Sequence, residues 1–133
     1  MTDRAQILRA FLEARRGRRF RPGGSDCAMF VADWIVACGH DDPGASWRGR
    51  YATLDEGRAA LSRDGFAVPS DVLRPYLLEG AGWMQARTGD VVTVNENGWE
   101  AFGIVGGGHI HALQMPHGIT AVPLDRAIRV YRP

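Results

Sequence analysis

The chain has 133 residues, of which 45% are hydrophobic and 23% charged, and a formal net charge of +1. Those proportions suit one globular domain with a proper core, and a balance so near neutrality supplies no global field to draw it to nucleic acid or a membrane surface. No apolar run reaches the roughly 20 residues that a membrane-spanning helix needs.

The opening MTDRAQILRAFLEARR reads as a charged amphipathic helix and not as a signal peptide. Asp3 can cap it, with Gln6 three residues on. Ile7, Leu8, Phe11 and Leu12 recur at helical spacing and mark its buried face. Gly17 ends it. Arg15, Arg16, Arg18, Arg19 and Arg21 then form a basic knot, read either as a solvated helix C-terminus favoured by the dipole or as a contact for an anionic partner or an assembly. PGGS is a turn. A second helix is expected over about 26–38, capped by Ser25 or Asp26. Met29, Phe30, Val31, Trp34, Ile35 and Val36 cover nearly its whole circumference, so it should be central and buried.

GHDDPGASWRGRY is a loop. His40, Asp41 and Asp42 can be read as metal ligands, but Gly39 and Pro43 bracket them, which favours a helix stop and a turn. TLDE at Thr53 is a capping box that opens a helix through about Leu61. PSDVLRPYLLEG suggests another short helix, broken or kinked by Pro75. After Gly82 the character changes to strand-like runs joined by Asn-Gly, Gly-rich and Pro-His-Gly turns. Helices first and strands second predict a single α+β domain over 1–133. Its helical half is about 1–82 and its sheet half about 83–133, with a mostly antiparallel sheet and helices packed to one side.

The two cysteines, Cys27 and Cys38, lie on one expected helix. Eleven residues at ~1.5 Å rise put them ~16 Å apart, beyond disulfide reach, so both thiols should be free. Cys27 falls in the first turn, where the positive end of the helix dipole favours thiolate. That is a sound place for a nucleophile, and equally a place for a small buried hydrophobe. A base must come from His40, His109, His111 or His117. His109 and His111 alternate on one strand and so face the same side. A third use of His109, His111 and His117 is a metal-binding module, although no carboxylate or thiolate evidently completes a Zn²⁺ set. Gly106 to Gly108 is not followed by Lys-Ser/Thr, so a tight hairpin explains it better than a phosphate loop. No cofactor is expected.

Taken in order, the motifs resemble those of the NlpC-type cell-wall cysteine peptidases, a papain-like family. Phe20, Gly23-Gly24, DCAMFV from Asp26, GDVV from Gly89, AFGIVGG from Ala101 and HIHA from His109 follow the family's order and spacing over most of the chain. The sequence is most similar to short phage and prophage members, with which it shares Arg48 to Tyr51 and the Arg129-Val130 strand. The resemblance implies a papain-like fold, with Cys27 as nucleophile and His111 as the orienting residue. Ala101 stands where the family's general base should be, Phe20 replaces a tyrosine hydroxyl, and Ala28-Met29 replaces Ser-Gly. Losing a base removes about 10²–10⁴-fold in rate, unless His109 or His111 substitutes.

The expectation is therefore a structural NlpC-like protein of a phage-type tail or tail tip with a degenerate site. The alternative is an active amidase or peptidase acting on peptidoglycan stem peptides through Cys27. Tail proteins and peptidoglycan are the implied partners, with no nucleic acid, and the implied location is the virion tail or the bacterial cytoplasm before assembly. Cys27 should sit at the N-terminus of a buried helix, with Ala101 and His111 on sheet strands facing it.

Overall fold

A computed structural model describes residues 3–114 and 118–133. Helix α1 (Arg4–Arg15) begins at Asp3, whose carboxylate accepts from the Ala5 N–H, and α2 (Cys27–Ala37) begins at Asp26. Helix α3 (Leu54–Arg63) begins at Thr53, whose hydroxyl accepts from the Glu56 N–H. Each cap satisfies a backbone donor that the first helical turn leaves free. The PSDVL segment, Pro69–Leu73, is a short 3-10 helix, complete before Pro75.

The sheet holds β1 (Val91–Glu96), β2 (Trp99–Gly106), β3 (His109–Gln114), β4 (Gly118–Pro123) and β5 (Val130–Tyr131), ordered β4-β3-β2-β1-β5 with every pairing antiparallel. The fold is thus α+β, with three α-helices and a five-stranded antiparallel sheet among the described residues. The β1–β2 turn is Asn97-Gly98, both at positive φ (54° and 85°), the geometry that a two-residue hairpin with the sheet's own twist demands. Among the described residues no helix is long and apolar enough to cross a membrane.

Strand alternation divides the core. Val91, Phe102, Ile104, Leu113 and Tyr131 face α1 and α2 and meet Leu8, Phe11, Phe30 and Trp34. The Phe11 ring lies 5.6 Å from Phe30 and 5.3 Å from Trp34. The Trp34 indole N–H donates to the Gly89 carbonyl at 2.7 Å, which ties the late part of α2 to the approach of β1. The opposite sheet face carries Val92, Val94, Ala101, Val105, Ile110 and Val130, with Ala127 packed among them. A third cluster, Met29, Trp47 and Ala60, joins α2 to the 42–48 loop and α3.

Asp33 is the one charged residue on α2, and it is met by Arg15 at 3.4 Å and by Arg48 at 2.7 Å. Arg15 also lies 3.7 Å over the Phe11 ring. One member of the basic knot is therefore tied into the helix packing and does not stand free as a binding residue.

Ile104 is fully buried at the helix–sheet junction, whereas Leu78 is 89% exposed. Ile104→Ala should lower stability by about 2–5 kcal/mol in urea denaturation, through lost burial and the cavity left behind. Leu78→Ala should leave the midpoint nearly unchanged. Equal effects of the two would contradict this core.

Candidate functional site

Asp26 organises the site. Its buried carboxylate accepts from the Met29 N–H at 2.9 Å, the Gly23 N–H at 2.8 Å and the Tyr51 hydroxyl at 2.5 Å. Gly23 has φ +79°, and a Cβ there would collide with the Tyr51 carbonyl oxygen. Glycine is required on both counts: the backbone is left-handed and the approach leaves no room for a side chain. The glycine turn, the start of α2 and the Arg48 to Tyr51 segment are thereby locked to one carboxylate.

Cys27 is the first residue of α2, as the sequence pattern expects. It packs against the cluster that contains Val94 and Ala101. The β2–β3 ladder pairs only residues 104–106 with 109–111, while β3 continues to pair with β4 out to Gln114. Thr93 directs its backbone bonds to Arg129 and Ile128, away from β2. Its partner Phe102 therefore turns its own N–H toward the gap where β2 and β3 part. That N–H and the Ala28 N–H both act on the Cys27 sulfur in the direction that favours its anion.

The helix N-terminus does not produce a thiolate here. The Cys27 thiol is pushed up to about 12 from an ordinary 9.0, chiefly by burial and also by the carboxylates of Asp26 and Glu96, against the nearby Phe102 and Ala28 N–H groups. Desolvation of the charged form outweighs the dipole and the N–H groups. Cys38, at the other end of α2, is likewise raised to about 11 by burial, against a lowering by Arg4. Both thiols are free.

Cys27 opens onto a cavity of about 580 Å³ with mostly apolar walls. Met29, Trp47, Leu61, Val72, Trp99 and Phe102 are among its lining, with Tyr51 and Ala101 also at its surface. Neither His109 nor His111 lines it. Their rings pack edge to face, with centroids 4.5 Å apart, and a Cβ on Gly106 would strike the His111 ring. Burial lowers the His111 pKa, and His109 lowers it further, so both favour the neutral imidazole.

The expectation that Ala101 and His111 face Cys27 together needs correction. The Gly107-Gly108 turn pairs Gly106 with His109, and so His111 with Ile104. Ala101, three residues from Ile104, points to the opposite face of the ladder. Ala101 shares the cavity with Cys27, and His111 does not.

His40 is exposed just beyond the end of α2, where its N–H closes on the Ile35 carbonyl, and Asp42 pairs with Arg48. His117 lies outside the described residues. Among those that are described, no three His, Cys, Asp or Glu side chains form a group that could hold a metal ion.

Among the cavity residues, Tyr51 enters the sequence analysis only as the end of the Arg48 to Tyr51 segment, and Glu96, at the end of β1, does not enter it. Tyr51 supplies a hydroxyl beside the helix N-terminus that Phe20 cannot, but it donates to Asp26. Burial raises its pKa strongly, and Asp26 adds to the shift.

The whole chain, residues 1–133, matches the family model described as a domain of unknown function, DUF6950, and the chain belongs to that family. No curated protein matches it.

A thiol raised in the folded state keeps its proton where the unfolded chain loses one. Its contribution to stability is complete below the ordinary 9.0 and is lost as pH rises toward about 12. Urea midpoints should therefore fall above pH 9, and fall less steeply in Cys27→Ala. An identical alkaline slope in the two proteins would contradict the buried, protonated thiol.

Proposed function

We propose that this chain is an NlpC-like protein of a phage-type tail or tail-tip assembly, with a papain-like scaffold kept for its shape and a cysteine site that does not hydrolyse. The observation that carries the reading is the environment of Cys27. Its thiol is held protonated, and it shares its cavity with alanine at the base position and with no described imidazole. Cysteine catalysis needs a thiolate and a group to take and return protons within hydrogen-bond reach. The tyrosine hydroxyl nearest the helix start is spent on Asp26. The assignment to a tail, and to virion or pre-assembly cytoplasm, rests on the resemblance to short phage members. The remaining arginines of the 15–21 knot would serve contacts with neighbouring tail proteins.

A second reading, an active amidase or peptidase on peptidoglycan stem peptides, draws support from one feature. Cys27 is retained at the N-terminus of α2, facing a cavity large enough for a substrate side chain. It would require His109 or His111 to leave the mutual packing at Gly106 and reach the thiol.

Muropeptide release from purified cell walls separates the readings. The native protein and Cys27→Ala should both release nothing above background. Ala101→His places an imidazole on the cavity wall, and product from that variant alone would support a scaffold that has lost its base. Product from the native protein that disappears in Cys27→Ala would overturn the structural reading.

A further inference from the structure

The cavity has a chemistry of its own. Its volume of about 580 Å³ falls within the range of sites that enclose small organic ligands, and its walls are mostly apolar. Four charged residues line it: Asp26, Glu96 and Glu100 are carboxylates, and Arg58 is the single cation.

Three of the four are already engaged. Asp26 accepts from three donors. Glu100 accepts from the Ser70 N–H at 2.7 Å and from the Ser70 hydroxyl at 3.1 Å. The Arg58 guanidinium lies 3.8 Å over the Trp99 ring and 3.4 Å from Asp55. Glu96, half-buried at the end of β1, has no hydrogen-bond or ion-pair partner among the described residues, and its charge reaches the Cys27 thiol.

We infer that the cavity binds a small amphiphile with an apolar body and a single cationic end, the body lying between Trp47, Met29, Leu61 and Val72 and the cation at Glu96. Burying the body supplies the affinity, because apolar area leaves water on both sides of the contact. The sign of the charge supplies the selectivity. An anionic end would meet three carboxylates and a guanidinium that is already stacked and paired. A cationic end completes the one carboxylate left without a partner. The inference rests on the reading that Cys27 performs no hydrolysis, since a ligand seated there would lie against the thiol. The two can fail separately, because one is read as binding and the other as released product.

The test uses the native 133-residue chain with n-decylammonium, n-decanoate and n-decanol, each below its micellar concentration. Isothermal titration calorimetry gives affinity and stoichiometry, and the ligand-induced change in tryptophan fluorescence that is lost in Trp47→Phe reports the cavity itself. The expected result is saturable one-to-one binding of decylammonium, about tenfold or more tighter than decanoate, with decanol between them. Glu96→Gln, a near-isosteric change at a strand end, should bring decylammonium down to the level of decanol and leave decanol unchanged. The inference is overturned if no probe binds saturably, if decanoate binds as tightly as decylammonium, or if the preference survives in a folded Glu96→Gln.

Discussion

The carboxylate of Asp26 is the constraint on which the site depends. A buried carboxylate is tolerated only when donors replace the water it has lost. Here those donors come from three separate pieces of chain: the glycine turn, the first turn of α2 and Tyr51. Meeting that need sets the point at which the helix begins. It thereby fixes Cys27 as the first helical residue and delivers its sulfur to the gap between β2 and β3. It also draws the 47–51 segment across the start of α2, where Trp47 and Tyr51 become walls of the cavity.

The same arrangement decides the state of the thiol. A helix N-terminus and nearby backbone N–H groups favour thiolate, and in an open cleft they would win. At the wall of this cavity the sulfur is largely removed from water, and two carboxylates act on it. Desolvation and like charge act together against the anion. A nucleophile held this way needs a neighbouring base more than an ordinary cysteine does, and no described imidazole lines the cavity. What remains is an apolar chamber with an acidic rim. That architecture suits binding and packing better than proton transfer.

Much of the fold was legible in the sequence because it rests on local rules. Asp3, Asp26 and Thr53 are cap residues at the right offsets, and all three cap helices. The nearly all-apolar 29–36 stretch forms the central helix, and Asn97-Gly98 makes the hairpin turn that its dipeptide signals. The placement of Cys27 was legible for the same reason. Its ionisation was not, because burial of a sulfur depends on what the sheet puts against it 75 residues later in the chain, at Phe102. The relation of Ala101 to His111 was hidden as well. Both sit on strands as their alternation implies, but the face each presents depends on register, and register follows from a two-residue Gly107-Gly108 turn. Tyr51 and Glu96 could not be recognised from spacing, since each reaches the cavity through tertiary packing alone.

The central claim is that Cys27 is a protonated, unactivated thiol, and its titration in the folded protein tests this most directly. The ultraviolet absorbance of thiolate, taken as the difference between native protein and Cys27→Ser across the alkaline range, isolates this one group. The account predicts no thiolate from Cys27 at neutral pH and a midpoint approaching about 12, limited at its upper end by alkaline unfolding. A midpoint clearly below the ordinary 9.0, with thiolate already present at neutral pH, would contradict it and restore Cys27 as a candidate nucleophile.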